Sequence, residues 1–229
     1  MRITFHLDGS GLYFDPWEPL HLDAILAWDL APKHGLPECT SADDRPDDVP
    51  LPLLRCDTGG AWVWRASALF PVGPQGEDLQ FLRKRFRQGR AELTTGSPSL
   101  AGSIYRERNT PLPLLLCREL VAYASGSRRG VRKCLKRIRY LGKYRGAGVG
   151  KILGFEVEQI DEDLSLFRDG RAQRYLPHPQ GPRLVRPRPP YWNRHERCAC
   201  LNVGDPIPGA ATEWLGWLDD GQCGRSGTC

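Results

Sequence analysis

The stretch that decides the fold runs from residue 131 to residue 160 and reads VRKCLKRIRYLGKYRGAGVGKILGFEVEQI. Its first part, residues 131–141, has apolar residues at helical spacing with basic residues between them, which predicts a basic amphipathic helix. Glycines then break the pattern, and the alternating apolar residues of 151–160 predict a strand. The outward face of the predicted helix, which we expect to contact RNA, carries Arg132, Lys133, Lys136 and Arg137.

A glycine-rich loop, GKYRGAGVGK at residues 142–151, joins the predicted helix to the predicted strand. Glycines let backbone N–H groups approach phosphates closely, and Lys143, Arg145 and Lys151 supply positive charge. Tyr144 offers a ring on which a base can stack. A Walker A loop is excluded, because Arg145 and Ile152 stand where it needs glycine and serine or threonine. The loop therefore predicts contact with an RNA backbone; the alternative is a glycine-rich turn beneath a solvated basic helix.

The charge distribution also favours a nucleic acid partner. The 229 residues include 32 bases and 27 acids. Residues 1–60 are acidic, because they contain 11 of the acids and only 4 of the bases. The rest of the chain therefore has a net charge of +12, and residues 128–151 contain ten bases and no acid. A phosphate backbone is the partner that such a surface attracts most strongly.

The rest of the sequence predicts an α+β arrangement with many turns, in keeping with its 25 glycines and 20 prolines. Strands are predicted where apolar residues alternate or run together, and a helix where leucines recur at helical spacing between two prolines. The predicted elements are strands at 2–7, 61–70 and 114–123, a helix between Pro19 and Pro32, an acidic surface loop at 38–52, and an exposed hairpin or extended loop at 90–113.

Several motifs resemble one protein family. Residues 135–157 resemble the glycine-rich loop of CRISPR-associated RAMP proteins. Residues 20–27 (LHLDAILA) resemble the opening helix of the Cas5-like RAMP subunit of type IV CRISPR effector complexes. Residues 102–106 (GSIYR) through 111–113 (PLP) are similar to its central basic segment, and residues 189–192 (PPYW) to its late aromatic motif.

This resemblance implies a fold and a function. The fold would be a ferredoxin-like (RRM-like) RAMP core over residues 1–160, with an inserted basic hairpin at about 90–113 and an irregular Pro-rich C-terminal extension at 161–229 packed on the core. The protein would bind the 5′ handle of the guide RNA (crRNA) and cap the backbone filament. It would catalyse no reaction and need no cofactor. The RNA-binding residues that the resemblance implies are Lys143, Arg145, Gly146, Gly148, Gly150 and Lys151, with Arg106 and Arg108.

The implied partners are crRNA, the backbone RAMP subunits and the large subunit of the effector, with target DNA reached only through the complex. The first residues lack the regions of a signal peptide, and no apolar stretch approaches the roughly 20 residues that cross a bilayer. We therefore expect a cytoplasmic protein with no membrane contact.

Three other kinds of site remain as alternatives. A metal-independent endoribonuclease that processes precursor crRNA would use His21 as general acid or base, but no Tyr, Lys or second His stands at a diagnostic spacing, which favours a surface or capping role. Cys198 and Cys200 beside His195 lack the second knuckle of a zinc site, so no metal is predicted. The carboxylates of 43–48 and 161–163 are interpreted as solvated loop charge rather than as a cation site.

Overall fold

The computed structural model describes residues 1–13, 15, 18–35, 44–58, 61–84 and 108–208. Within these ranges the chain forms two α-helices and fourteen strands, most of them short. In chain order they are β1 (Arg2–Leu7), β2 (Leu12–Tyr13), α1 (Leu22–Leu30), β3 (Arg55–Asp57), β4 (Trp62–Trp64), β5 (Phe70–Val72), β6 (Gly76–Lys84), β7 (Arg108–Leu116), β8 (Glu119–Tyr123), α2 (Arg128–Leu135), β9 (Ile152–Glu158), β10 (Phe167–Arg168), β11 (Arg171–Ala172), β12 (Leu176–Pro177), β13 (Arg183–Val185) and β14 (Cys198–Leu201).

Four of these strands form a central antiparallel sheet in the order β5-β8-β1-β9. β1 lies inside the sheet, with Phe5 opposite Leu120 of β8 and opposite Phe155 of β9. Because strand side chains alternate between faces, Phe5 and Ile3 both point to one side, where they pack with residues of α1 and α2 in the main hydrophobic core. The predicted α+β class and the predicted strand at 2–7 are confirmed.

The second helix differs from its prediction. It spans Arg128–Leu135 instead of 131–141. The helix starts earlier than predicted because the Ser127 hydroxyl accepts a hydrogen bond from the Gly130 N–H. After Leu135 the backbone bonds shorten to an i−3 pattern, with the Ile138 N–H donating to the Leu135 carbonyl at 3.1 Å. Ile138 and Leu141 still reach the core, so the apolar periodicity outlasts the regular helix.

Two predicted strands each break into two, because the chain changes partner within them. In the region predicted as one strand at 61–70, Trp64 of β4 pairs with Arg55 of β3, whereas Phe70 of β5 pairs with Val121 in the central sheet. In the region predicted at 114–123, β7 ends at Leu116 and β8 begins at Glu119. β7 pairs with β6 and β2, and β8 pairs with β1 and β5. Apolar composition alone carries no sign of such an exchange of partners.

A long hairpin projects between β5 and β8. Its arms are β6 and β7, paired from Gly76 opposite Leu116 to Lys84 opposite Arg108. The arms therefore begin well before the predicted insertion at about 90–113, and residues 85–107 between them, including Arg106, lie outside the described residues. One face of the hairpin packs on the glycine-rich loop through Leu112, Leu114 and Val149.

The chain after β9 contributes short strands that pair in two small sheets, β10-β11 and β12-β14-β13. It is attached to the core by backbone hydrogen bonds such as the one from the Ala68 N–H to the Gln173 carbonyl, at 2.7 Å. Residues 209–229 lie outside the described ranges. In the part of the chain that the structure describes, no helix combines the length and the apolar character needed to cross a bilayer.

A buried ion pair joins this C-terminal segment to α1. The side chains of Arg174 and Asp23 are both 0% exposed, and Nη2 of Arg174 lies 3.1 Å from Oδ2 of Asp23. Arg174 also donates to the carbonyls of Ala66 at 3.0 Å and Pro187 at 2.6 Å. The Tyr191 hydroxyl accepts from Arg174 and donates to Asp23, at 2.8 Å in each case. Three separate parts of the chain therefore meet at one guanidinium.

The acidic clusters predicted as solvated loop charge also supply ion pairs. Asp48 accepts hydrogen bonds from Arg186 at 3.1 Å and from Arg188 at 2.9 Å. Asp163 pairs with Arg65. The prediction is therefore wrong for Asp48 and Asp163, whose carboxylates hold otherwise irregular segments against neighbouring elements.

Candidate nucleic-acid interface

The outer face of α2 presents cations to solvent. Val131, Cys134 and Leu135 are buried, so the helix turns its other side outward. Arg132, Lys133 and Lys136 are exposed there, and none of the three forms an ion pair with another described residue. The amphipathic pattern thus places three of its four predicted contact residues on one open surface.

The fourth residue of this predicted face, Arg137, has a different environment. Its Nε lies 3.0 Å from Oδ1 of Asp29, and its Nη2 contacts the other carboxylate oxygen, so the pair is bidentate. Burial opposes the charge on Asp29, but hydrogen bonds from Arg137 and Lys33 lower the pKa of this carboxyl below its usual value. Arg137 therefore ties the end of α2 to α1, and its contact with RNA stays a prediction.

The glycine-rich loop is fixed at its base by backbone hydrogen bonds. The Leu141 N–H donates to the Gly150 carbonyl, and the Gly150 N–H donates to the Gly11 carbonyl, both at 2.7 Å. Gly150 has φ +72°, and a Cβ there would lie 2.2 Å from the Leu141 carbonyl oxygen. Gly146 is different: a Cβ would meet nothing within 4 Å. Gly150 is therefore required by the fold, whereas Gly146 leaves bare backbone facing open space.

The side chains of the loop lie beside exposed aromatic rings. Arg145 places its guanidinium 3.9 Å from the ring centre of Trp28, which is 57% exposed. Tyr144 meets Tyr13 edge to face, with ring centres 5.1 Å apart. Lys143 forms an ion pair with Glu18. This pair lies at the surface, where such a contact contributes little free energy, so Lys143 can exchange it for a phosphate.

The other residues predicted to bind RNA do not lie beside these aromatic rings. Lys151 is exposed at the end of the loop, where it forms a backbone bridge with Tyr140. Gly148, with φ +87°, ends the 3₁₀ turn of the loop at Arg145–Ala147. Arg108 is exposed at the first residue of β7, and Arg106 lies outside the described residues. The structure therefore brings together the loop residues and the end of α1, which the sequence did not associate.

A cavity of about 830 Å³ opens between α1, the glycine-rich loop and the C-terminal segment. A cavity of this size can hold a ligand as large as a nucleotide. Its wall combines six tyrosine and tryptophan rings with three cations: Tyr13, Trp28, Tyr140, Tyr175, Tyr191 and Trp192, with Lys143, Arg145 and Arg183. Sequence reasoning noted residues 189–192 as an aromatic motif but did not assign them to a site. Trp28, Tyr175 and Arg183 carry no sequence signal of their own.

His21 lies in the wall of this cavity and not on the surface. It is 2% exposed, and its ring stacks on Tyr191 with centres 4.4 Å apart and lies 4.8 Å from Tyr175. It occupies the N-cap position of α1 without a side-chain cap bond. Burial, and next to it the charges of Arg174 and Arg183, lower its pKa well below the usual value, so the imidazole is neutral. The prediction of a surface or capping histidine is wrong.

The cysteine motif forms a pair of neighbouring thiols. Cys198 and Cys200 lie on β14 with their Sγ atoms 3.7 Å apart. The hydrogen bond with Cys200 lowers the pKa of Cys198 to about 7, although partial burial opposes this shift. Among the residues that the structure describes, no three His, Cys, Asp or Glu side chains are arranged to hold a metal ion.

The comparison with protein families identifies the domain. The family model of the CRISPR type IV associated protein Csf3 matches residues 1–97 and 100–203. The chain belongs to the Csf3 family. The match covers every strand from β1 to β14, so both the glycine-rich loop and the aromatic wall of the cavity are part of the Csf3 domain. No curated protein matches the chain.

Membership in the Csf3 family confirms the resemblance to the RAMP subunit of type IV CRISPR systems. This Csf3-family chain therefore works in a type IV CRISPR complex together with other subunits.

Proposed function

We propose that this protein is a guide-RNA-binding subunit of a type IV CRISPR ribonucleoprotein, which holds the 5′ handle of the crRNA and caps the backbone filament. The observation that carries the proposal is the aromatic and cationic cavity beside the glycine-rich loop. Aromatic rings can stack on unpaired bases and cations attract phosphates, which together are the chemistry of single-stranded RNA recognition.

We further infer that the core has the ferredoxin-like (RRM-like) RAMP fold. The six elements β1, α1, β5, β8, α2 and β9 follow one another along the chain as strand, helix, strand, strand, helix and strand. The resulting sheet order β5-β8-β1-β9, with all pairs antiparallel, supports this inference. The helices cover one face, and the loop follows α2 at the edge of this layer.

The exposed cations of α2 give the RNA a path along the protein surface. Arg132 and Lys136 are four residues apart and so point to the same side of the helix. The loop begins after residues 136–141, and the bare backbone of Gly146 lies next to Arg145. A phosphate backbone can therefore pass from the helix to the loop, where the rim of the cavity begins.

The proposed role is binding without catalysis. Cleavage at a 2′-hydroxyl needs a general base or acid within hydrogen-bond reach of the reacting atoms. His21 is 2% exposed and stacked on a tyrosine ring, and burial raises the pKa of Tyr175 to about 12. An imidazole whose ring nitrogens are both buried is poorly placed to exchange a proton with a reacting phosphodiester, so we propose a binding role.

The proposed partners are the crRNA handle, the backbone RAMP subunits and the large subunit, with target DNA contacted only through the assembled complex. The complex would act in the cytoplasm. Capping requires protein contacts besides the RNA site, and the hairpin of β6 and β7 offers exposed apolar side chains for this purpose at Leu79 and Phe81.

The direct test is a filter-binding measurement on the full chain, using guide RNA with and without its 5′ handle. The same samples are run on a denaturing gel. We expect binding that depends on the handle and RNA that stays intact. Equal binding of both RNAs would contradict the handle assignment, and cleavage at a fixed position would establish the endoribonuclease alternative.

A double substitution on α2 tests the cationic path. We expect Arg132→Ala with Lys136→Ala to weaken guide RNA binding about tenfold near physiological salt, because two phosphate contacts are lost. The slope of log affinity against log salt should fall in magnitude by about 1.4. The matched control is Arg168→Ala with Arg171→Ala on the β10-β11 hairpin, where Arg168 lies over Tyr123 on the other side of the central sheet. Equal losses in both variants would show a general charge effect.

A substitution at Gly146 tests whether phosphates approach the bare loop backbone. Gly146→Val should leave the fold intact, since no atom lies within 4 Å of the new Cβ, and should weaken RNA binding about tenfold by holding phosphates away from the backbone. Gly154→Val is the matched control, because this glycine of β9 also has nothing within 4 Å of its Cβ position. Unchanged RNA affinity of Gly146→Val would remove the loop backbone from the interface.

A further inference from the structure

Cys198 and Cys200 form a thiol pair in which one member meets solvent and the other is enclosed. They lie two residues apart on β14, so their side chains point to the same face of the strand, and their Sγ atoms are 3.7 Å apart. Cys198 is partly exposed, whereas Cys200 is 0% exposed. A reagent from solvent therefore meets Cys198 first, and a second sulfur lies at contact distance from it.

The surroundings of the pair favour a thiolate on the exposed member. The hydrogen bond from Cys200 lowers the pKa of Cys198 to about 7, and the charge of Arg188 acts in the same direction. The same hydrogen bond, followed by burial, raises the pKa of Cys200, which therefore stays protonated. Since the thiolate is the nucleophilic form of cysteine, Cys198 is the reactive sulfur of the two.

The three other cysteines that the structure describes, Cys56, Cys117 and Cys134, are all buried. Burial raises the pKa of Cys117 and of Cys134 above its ordinary value. Buried cysteines of this kind are chemically inert. An accessible thiolate beside a second thiol is instead the arrangement typical of cysteines that react reversibly with oxidants.

We propose that Cys198 and Cys200 are a reversible oxidation site that reacts with hydrogen peroxide. In the first step the Cys198 thiolate attacks a peroxide oxygen, the O–O bond breaks and hydroxide leaves, which gives a sulfenic acid on Cys198. In the second step the Cys200 sulfur attacks the sulfenic sulfur, an S–S bond forms and the S–O bond breaks. The oxygen leaves as water with the proton of the Cys200 thiol, and a dithiol reductant reverses the bond.

The disulfide would also alter one wall of the cavity, through β13. In β13, Arg183 lies opposite Cys200 and Val185 lies opposite Cys198, and both residues line the cavity. Residues two apart on an extended strand have Cα atoms about 6.6 Å apart, close to the upper limit of about 6.8 Å that a disulfide spans. The strand must therefore shorten between the two cysteines when the bond forms, which weakens the pairing of β14 with β13.

The test is a thiol count on the full chain with Cys39, Cys223 and Cys229, which lie outside the described residues, replaced by serine. Five thiols then remain. After hydrogen peroxide we expect three free thiols in the denatured chain, the loss of two thiol hydrogens from the intact mass, and a Tm lower by about 2–4 °C. Dithiothreitol should reverse all three changes. Five free thiols after peroxide would overturn the oxidation site, and a disulfide with unchanged Tm would overturn its effect on β13.

Two variants of this parent identify the reacting sulfurs, with circular dichroism to check the fold. Cys200→Ser keeps a hydrogen-bond donor but no second sulfur, so a dione probe for sulfenic acids should label Cys198 and no disulfide should form. Cys198→Ser should show neither label nor disulfide, because Cys200 is enclosed. Cys117→Ala, which removes a buried thiol, is the matched control and should still lose two thiols to peroxide. Equal thiol loss in Cys198→Ser and in the parent would overturn the assignment of Cys198 as the reactive sulfur.

Discussion

Replacing Arg174 with methionine is expected to lower the free energy of unfolding by about 3–5 kcal/mol, because it leaves a buried carboxylate unpaired. Asp23 is 0% exposed, and the guanidinium is its charged partner at 3.1 Å. The carbonyls of Ala66 and Pro187 lose donors in the same step. Urea unfolding followed by tryptophan fluorescence measures the change.

The control for this experiment is Arg168→Met. Arg168 forms a surface pair with Asp169 and is 51% exposed, so its loss should change stability by less than about 1 kcal/mol. A double variant, Arg174→Met with Asp23→Asn, removes both charges and should recover a large part of the loss. Equal stability of the Arg174 single and double variants would mean that the unpaired carboxylate is not the cause.

The loss in the Arg174→Met variant should also depend on pH. Burial, opposed by Arg174, raises the pKa of Asp23 above its ordinary value of 3.8. A folded-state pKa above the unfolded value means that the folded protein binds more protons between the two values, so stability from this group is highest below 3.8 and falls as pH rises. Without Arg174 the pKa of Asp23 rises further. The difference in free energy of unfolding between the wild type and the Arg174→Met variant should therefore become smaller as the pH is lowered from 7 towards about 5.

The second large effect is expected at Gly150. Gly150→Ala should lower the free energy of unfolding by about 2–4 kcal/mol, because it combines a left-handed backbone with a clash against a carbonyl oxygen. The new Cβ would lie 2.2 Å from the Leu141 oxygen, and this backbone cannot yield without breaking the bond between Leu141 and Gly150. Chemical denaturation again provides the measurement.

Gly148→Ala is the matched control for the clash. Gly148 also has positive φ, at +87°, but nothing lies within 4 Å of its Cβ position. It should therefore show only the conformational cost, about 1–2 kcal/mol. If both variants lose the same stability, the close approach of Leu141 to Gly150 plays no part.

The helix–loop–strand order of residues 131–160 was predictable from sequence, because apolar periodicity and glycine spacing are local properties. The exact bounds of α2 were not predicted, since the helix starts at the Ser127 cap and the segment after it is held by the pairing of Arg137 with Asp29 across 108 residues. The breaks in the strands at 61–70 and 114–123 likewise depend on which distant strand each half meets.

In the candidate site, too, some features follow from local sequence and others from contacts between distant parts of the chain. The basic face of α2 and the cationic loop are continuous in sequence, so the sequence predicts them directly. The cavity is built from Trp28 of α1, Tyr175 and Tyr191, which come together only when the C-terminal segment packs on the core. The glycine-rich loop also lines the cavity, through Lys143 and Arg145. His21 was considered as a candidate acid or base, but its burial and stacking depend on this packing and on Arg174.

The anchoring of the glycine-rich loop has a consequence for the cost of binding. Hydrogen bonds from Leu141 to Gly150 and from Gly150 to Gly11 hold both ends of the loop on the domain. The conformational entropy of this backbone is therefore lost when the protein folds and not when a ligand arrives. The loop is preorganised, so a substitution that loosens its base would weaken binding without removing any contact to the ligand.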